Sequence, residues 1–363
     1  MERVLVAMSG GVDSSVAAAR LVRAGFDVVG VTLHLWDYPE TGSVKGRCCA
    51  PEDVHDARRV ADVLGFPHYA FDRRELFRSE VVEPFVNSYL SGETPSPCVR
   101  CNRGVKIHEL CRLADRLGAS AIATGHYARI ERAGADVFLA RARDRSKDQS
   151  YFLHMLAPDV LSRLRFPLGD ALKTEVRQEA LELGLPGASK GESQELCFVP
   201  TGRYTEFVAK EAPDRLRPGA IVDASGRKLA EHAGVHAFTI GQRRNLGVAT
   251  GERSYVVEVD AEQRRVRLGS RDDLLSRTAV LCDVSVAPGL QLPARVGVAV
   301  RYRGEPVPAE LSRIDAARWQ VSFQRPVSAV VKGQFAVFYD GDRVLGGGQI
   351  ESSSGAPCEA VAV

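Results

Sequence analysis

At 363 residues the chain is too long for one ordinary hydrophobic core and suits two or three domains. Its 45% hydrophobic and 26% charged residues are the proportions of a globular chain, not a disordered or fibrous one, and no run of eighteen apolar residues is present to span a bilayer. A net charge of +2 does not announce a nucleic-acid partner. Between Gly241 and Arg303, however, stand eleven arginines, no lysines and seven acidic residues, a local excess that suits phosphate contacts or, equally, a solvated face.

Met1-Glu2-Arg3 runs directly into an apolar segment, so a cytoplasmic protein without membrane association is expected. In that reducing compartment the eight cysteines are expected as thiols for packing, catalysis or metal. Val4 to Met8 is uninterrupted and apolar, as in a parallel strand covered on both faces, and Ser14 to Ala24 carries the small and branched residues of a packed helix. Between them lies Ser9-Gly10-Gly11-Val12-Asp13-Ser14-Ser15, so a strand enters a glycine turn and then a helix. Glycine lets backbone approach a ligand, and first-turn N–H groups with the helix dipole favour an anion. Neither G-x-x-x-x-G-K-[ST] nor G-x-G-x-x-G is present. The S-G-G-x-D-S pattern instead resembles the pyrophosphate loop of enzymes that split ATP between its α and β phosphates. Asp13 would then hold magnesium or orient the loop.

Gly25 is placed as a helix stop, and Phe26 to Leu35 reads as the second strand of a β-α-β unit. A helix is expected from about Pro51, with Val54, Ala57, Val60 and Leu64 on one face, then a short strand from Pro67 to Phe71. One long helical stretch follows from Arg74 to Leu90. The next segment, Thr94-Pro95-Ser96-Pro97-Cys98-Val99-Arg100-Cys101-Asn102, is expected as a stiff loop from which two prolines exclude helix. Val105 to Leu117 is amphipathic, and Ala119 to Ala128 reads as a strand carrying Thr124-Gly125-His126-Tyr127 at its end. Ligands collect beyond the carboxyl ends of an open parallel sheet, so this tetrapeptide and the glycine loop are expected to share a crevice.

Arg129 to Ala142 looks like a hairpin with its tip at Ala133-Gly134-Ala135-Asp136. Lys147-Asp148-Gln149-Ser150-Tyr151-Phe152 places polar residues before aromatic ones, which suits either a binding segment or a helix start capped by Asp148 or Ser150. A helix from Thr174 to Leu183 precedes the loop Gly187 to Glu195, a candidate lid leading to Leu196-Cys197-Phe198-Val199. Composition changes near Ala212-Pro213. The expected domains are therefore 1–212, α/β with a parallel sheet; 213–275, small and β-rich; and 276–363, a small β-barrel.

Cys98 and Cys101 form a C-x-x-C, and Cys197 stands alone far along the chain. Such spacing suits a redox or nucleophilic pair, or part of a metal site. No second C-x-x-C completes a structural zinc site. Cys111, Cys282 and Cys358 read as packing or incidental thiols, and the vicinal Cys48-Cys49 takes no assignment.

SGGVDSS at Ser9, P-x-P-C-x-x-C-N at Pro95, TGHYAR at Thr124, KDQSYFL at Lys147, SQELCF at Ser193 and FTIGQRRNLG at Phe238, in this order and over nearly the full length, resemble the tRNA-specific 2-thiouridylase family. The resemblance implies an amino-terminal pyrophosphate-loop domain, a small central domain and a carboxyl-terminal β-barrel that grip tRNA. It implies ATP-dependent replacement of the C2 oxygen of the wobble uridine in Lys, Glu and Gln tRNAs by sulfur. By the same resemblance Ala7, Met8, Ser9, Gly10, Gly11, Val12, Asp13 and Ser14 hold the phosphates, and Leu33 and Gly125 line the adenosine site. Cys197 carries a persulfide supplied by a sulfur relay or cysteine desulfurase. Cys101 is the partner nucleophile, and the pair ends as a disulfide. Ser96, Pro97 and Cys98 surround the target base; Lys147, Asp148 and Gln149, and Arg301 and Tyr302 of the barrel, contact tRNA. Arg100, Arg103 and the helix after Asn102 are candidates to lower a thiol pKa. Where some members carry an aspartate this chain has Cys98, which leaves the acid–base role open and makes Cys98 an auxiliary thiol. Cys98, Cys101 and Cys197 could alternatively hold an iron–sulfur cluster.

Overall fold

The computed structural model describes residues 1–37, 51–188, 196–199, 202–248 and 253–355. In chain order the amino-terminal half runs β1 (Arg3–Ala7), α1 (Val12–Arg23), β2 (Asp27–His34), α2 (Pro51–Leu64), β3 (His68–Asp72), α3 (Arg74–Phe77), a π turn (Arg78–Val82), α4 (Glu83–Leu90), α5 (Pro97–Arg100), a second π turn (Cys101–Lys106), α6 (Ile107–Leu117), β4 (Ala121–Ala123), β5 (Ala128–Ala133), β6 (Asp136–Arg141), α7 (Pro158–Arg163), β7 (Leu164–Arg165) and α8 (Lys173–Glu182). Then come α9 (Tyr204–Glu211), β8 (Gly219–Val222), β9 (Lys228–His232), β10 (Tyr255–Asp260), β11 (Arg265–Gly269), β12 (Leu275–Val286), β13 (Ala294–Ala299), β14 (Val307–Arg313), β15 (Trp319–Ser328), β16 (Phe335–Asp340) and β17 (Arg343–Ser354). No helix among the described residues is long and apolar enough to cross a membrane.

The chain divides into two compact units, and the first comprises Met1–Val82, Cys98–Arg203 and Asp342–Val344. Its sheet has the order β3-β2-β1-β4-β7, with every pair parallel. Val4, Leu5 and Val6 of central β1 are fully buried, as the unbroken apolar run requires when helices cover both faces. Chain order reverses on either side of β1, toward β2 on one flank and β4 on the other. Ligand sites of open α/β sheets lie at such a switch point, at the carboxyl edge. The expected hairpin forms as β5 and β6, with Ala133 opposite Asp136 and Gly134 at φ +63° in the turn.

The expected helical stretch from Arg74 to Leu90 forms without a gap; it widens into the π turn at Arg78–Val82 and continues as α4, which belongs to the second unit. There Tyr89 stacks on Tyr204 with ring centroids 4.3 Å apart and Phe85 meets Phe207 edge-on at 6.3 Å, contacts that periodicity along one segment cannot reveal. One expectation for this half is corrected: the C-x-x-C stretch is not a loop, because Pro97 occupies the first turn of α5, where its missing N–H costs nothing, and Cys101 opens the second π turn.

The second unit comprises Glu83–Pro97, Tyr204–Gly341 and the chain from Leu345 onward, so it begins ahead of residue 213 and takes in α9. It contains a four-stranded sheet, β10-β11-β8-β9, over a core that includes Ile221, Phe238, Val256 and Val266. Beyond it β12-β15-β14-β13-β16-β17 closes into a six-stranded barrel through the β12–β17 pairing. Closure removes both sheet edges, and alternate residues such as Leu281, Leu311, Val321 and Phe338 fill the interior.

Candidate active site

β1 delivers Ala7 to the carboxyl edge of the sheet, Met8 donates its N–H to the Val31 carbonyl at 2.8 Å, and the chain then turns through Ser9-Gly10-Gly11 into α1. Ser14 ties this turn together: its hydroxyl accepts the Ser9 N–H at 3.1 Å and donates to the Gly11 carbonyl at 3.0 Å. The two loop glycines have different causes. Gly10 has φ +69°, and a Cβ there would lie 2.3 Å from the Asp53 carbonyl oxygen, so the fold itself demands glycine. Gly11 has φ −92° and ψ 161°, ordinary extended backbone, and a Cβ would meet nothing nearer than the Ser9 hydroxyl at 3.5 Å. The fold therefore tolerates a side chain at 11, whereas a ligand resting on the backbone at the start of α1 would not.

Thr124, Gly125, His126 and Tyr127 follow β4, the neighbour of β1, as the switch-point reading requires. Gly125 lies against the start of α1, where a Cβ would stand 2.8 Å from the Ser14 nitrogen and 2.9 Å from the Asp13 carbonyl carbon. Leu33 is buried on β2, beyond Val31, which pairs with Ala7. The structure thus brings residues 7–14, Leu33 and Gly125 to one edge of the sheet. His126 is fixed through Nδ1 to the Thr124 hydroxyl at 2.8 Å, and burial, with Lys106 adding to it, pushes its imidazole down to about 3. It is neutral at physiological pH.

Asp13 does not project freely. Lys173 Nζ donates to both of its carboxylate oxygens, at 2.6 and 2.7 Å, and the Tyr127 hydroxyl donates to Oδ1 at 2.9 Å. Lys173 is 7% exposed and opens α8. The loop itself has no lysine, and α8, far along the chain, supplies one that sequence reasoning missed. A signal was available: a lysine in the first turn of a helix opposes the dipole and asks for another reason to be there.

Of the Lys147-Asp148-Gln149 segment, Asp148 points inward and is 8% exposed. It accepts the Ala142 N–H at 3.1 Å and the Ser150 N–H at 3.2 Å, and pairs with Arg141 at 3.1 Å; the short 3-10 turn at Ser150–Phe152 has Gln149, not Asp148 or Ser150, at its N-cap, with no side-chain capping bond. Gln149 clasps Tyr127, accepting its N–H on Oε1 at 3.0 Å and donating its own N–H to the Tyr127 carbonyl at 2.8 Å. Lys147 is half-buried beside them.

Cys98 and Cys101 stand three residues apart in helical backbone, the first half-buried and the second 5% exposed, and neither is in a disulfide. The adjacent Asn102 donates from Nδ2 to the Phe152 carbonyl at 3.3 Å. The two π turns of this unit belong to the same neighbourhood, since Gly104 lies against the Glu80 carboxylate. Cys197, half-buried and likewise not in a disulfide, sits in a turn closed by Val199 N–H to the Leu196 carbonyl at 3.1 Å. That turn is pinned by Phe198, 1% exposed, edge-on to Trp36 at 6.2 Å and Phe77 at 5.7 Å. Among the described residues no three His, Cys, Asp or Glu side chains are grouped to hold a metal ion. Cys111 is half-buried in α6 and Cys282 lies in β12, both thiols raised chiefly by burial, while Cys48, Cys49, Cys358 and the lid residues 189–195 lie outside the described residues.

In the second unit Ser96 and Pro97 are buried. Arg301 is exposed in the turn after β13, closed by Gly304 N–H to the Arg301 carbonyl at 3.0 Å, with the Arg303 guanidinium 5.2 Å from the Tyr302 ring centroid. An arginine and an aromatic ring presented on a tight turn can take a phosphate and a base.

Residues 2–201 match the family model of a tRNA methyl transferase HUP domain, 205–270 that of a tRNA methyl transferase PRC-barrel domain, and 277–350 that of an aminomethyltransferase beta-barrel domain. The chain is 60% identical to the tRNA-specific 2-thiouridylase MnmA of Sorangium cellulosum (strain So ce56), over 97% of this chain and 92% of that one. It is 46% identical to the protein of that name from Geobacter metallireducens (strain ATCC 53774 / DSM 7210 / GS-15), over 97% of each. With the one from Methylorubrum populi (strain ATCC BAA-705 / NCIMB 13946 / BJ001) it shares 50% identity, over 96% of this chain and 93% of that one. A parallel sheet whose central strand runs into the glycine turn at Ser9–Ser15, and identity at this level from end to end, make the chain a member of the tRNA-specific 2-thiouridylase family.

Proposed function

We propose that this protein is an ATP-dependent tRNA-uridine 2-sulfurtransferase that replaces the C2 oxygen of the wobble uridine of Lys, Glu and Gln tRNAs by sulfur. The observation that carries the reading is 60% identity across 97% of the chain to a relative of that name; the backbone cradle around Gly11 supports its nucleotide half. A carbonyl oxygen is a poor leaving group, so O2 of the uridine attacks the α-phosphorus of ATP and pyrophosphate departs. Residues 7–14 hold the phosphates through backbone N–H groups, with Leu33 and Gly125 against the nucleoside and Lys173 as the nearby cation. Asp13 uses three of its roughly four lone-pair directions on Lys173 and Tyr127, which leaves one for magnesium carried in with ATP. Magnesium there would neutralise phosphate charge.

The terminal sulfur of a Cys197 persulfide, supplied by a sulfur relay or a cysteine desulfurase, then attacks C2 and AMP leaves. The Cys101 thiolate attacks Cys197 Sγ; the S–S bond to the transferred sulfur breaks, the new sulfur stays on C2, and a Cys101–Cys197 disulfide remains for an external thiol to reduce. Cys98, beside the target base with Ser96 and Pro97, is auxiliary. Lys147, Gln149, Arg301 and Tyr302 contact tRNA, the first two from segment 147–149 and the others from the barrel, and the unstacked anticodon loop makes presentation of the base inexpensive.

The test is 2-thiouridine formation in unmodified tRNA with ATP and a cysteine desulfurase charged with cysteine as persulfide-level sulfur donor, on protein purified without oxygen and assayed for iron and acid-labile sulfide. Active, iron-free protein that loses turnover on Cys197→Ser, and stalls with tRNA attached on Cys101→Ser, supports the reading. Activity proportional to bound iron and abolished by any one of the three cysteine substitutions would replace it with cluster chemistry. A double Cys101→Ser, Cys197→Ser variant that still releases pyrophosphate and modifies tRNA would point to a different adenylating ligase.

A further inference from the structure

We infer that Tyr127 is a positioning residue that couples the nucleotide loop to the segment 147–152, so that ATP and tRNA strengthen each other's binding; this rests on the reading under Proposed function. Tyr127 is 3% exposed, yet it carries a hydroxyl, which donates to Asp13 Oδ1 at 2.9 Å. Its peptide group is held on both sides by one residue, Gln149, through the 3.0 and 2.8 Å hydrogen bonds. One side chain therefore reaches the phosphate loop while its own backbone is clasped by the RNA-facing segment.

The parts at each end are stiff. Asp148 is buried and bonded to Ala142, Ser150 and Arg141, so the segment 147–152 is anchored to β6. Asn102, next to Cys101, donates to the carbonyl of Phe152 at the segment's far end. At the other end Gly125 presses on the backbone of Asp13 and Ser14, so residues 124–127 move with the start of α1. Lys173 and Tyr127 share Asp13 Oδ1. A triphosphate that draws Lys173 toward itself leaves the carboxylate more dependent on Tyr127, and the pull passes through Gln149 to the RNA-facing segment. Packed elements transmit such a change because they do not deform smoothly. The consequence is useful: adenylation competence rises when the base is seated, and ATP is spared from attack by water. Coupling between sites is reciprocal and commonly about 5–150-fold.

The experiment uses the full-length protein and measures the dissociation constant of labelled, unmodified tRNA with and without the non-hydrolysable analogue α,β-methylene-ATP. The ratio of the two constants cancels any effect of a substitution on either ligand alone. Wild type is expected to show a ratio of about 5 or more, and Tyr127→Phe, which keeps the buried ring and loses only the hydroxyl, a ratio near unity. Gln149→Ala should also abolish the ratio, and Gln149→Glu, which retains the acceptor oxygen for the Tyr127 N–H, should restore it; this pair decides the matter if Tyr127→Phe folds poorly. An undiminished ratio in Tyr127→Phe, or in Gln149→Ala, overturns the inference. Wild type that thiolates tRNA with a ratio near unity overturns the coupling alone, whereas wild type that binds no tRNA overturns the functional reading with it.

Discussion

Gly11→Ala separates what the fold requires from what a ligand requires. At φ −92° and ψ 161° alanine is unstrained, and its Cβ would find the Ser9 hydroxyl at 3.5 Å, an ordinary van der Waals distance. Replacing glycine at a compatible site trims the unfolded chain's freedom, so stability should hold or rise by about 0.4–1 kcal/mol. Function should not hold. A methyl group at the N-cap of α1 stands where phosphate oxygens meet first-turn N–H groups, and displacing one hydrogen bond to a charged group forfeits about 1.5–3 kcal/mol, roughly 10–150-fold in kcat/KM for ATP. The assay is tRNA-dependent AMP release at varied ATP, read beside a thermal melt. Gly125→Ala is the contrasting case: its Cβ at 2.8 Å from the Ser14 nitrogen lies under contact distance from backbone, so overpacking should cost about 1–3 kcal/mol of stability as well as activity. If Gly11→Ala keeps its melting temperature and also keeps kcat/KM for ATP within about threefold of wild type, less than one such hydrogen bond, the anion-cradle argument is refuted.

Lys173→Met should lower kcat/KM for ATP by about 10-fold or more, since it removes a charge-assisted partner of Asp13 and the cation placed beside the loop; unchanged ATP kinetics in a folded variant would remove Lys173 from the site. Stability should fall as pH drops from about 7.5 to 5.5, at up to about 1.4 kcal/mol per pH unit for each histidine involved. The sign follows from His68, His126, His232 and His236, all held below the ordinary imidazole value chiefly by burial, so as pH falls the unfolded chain takes up protons at these positions before the folded one does. Urea melts across that window check it, and a His232→Asn, His236→Asn double variant should flatten the slope; a wild-type slope of zero or of opposite sign would refute the assignment.

The local chemistry of the site was legible in the chain because it is written in contiguous residues. The apolar run Val4 to Met8, the glycines after it, the tetrapeptide at Thr124 and the C-x-x-C each carry their meaning within a few positions, and chain order placed the first two at the switch point of a parallel sheet. The hairpin at Gly134 and the change to β structure beyond residue 218 were legible for the same reason, since turns and two-residue alternation are local signals.

Tertiary structure alone decided matters that depend on who meets whom. Sequence could not show that Lys173 of α8 lies on Asp13, far away in the chain, or that Tyr127 and Gln149 join the phosphate loop to segment 147–152. It could not show that Asp148 turns inward, 8% exposed, onto Ala142, Ser150 and Arg141, because those partners are brought to it by the fold. It misread Pro97 as a helix breaker, since proline's effect depends on whether it falls in the first turn. Nor could it show that the helix from Arg74 widens into a π turn at Arg78–Val82, or that the packing of Tyr89 on Tyr204 takes α4 into another unit. Propensity and periodicity act within a segment, whereas ion pairs, ring stacking and the choice of face are settled by partners distant in sequence.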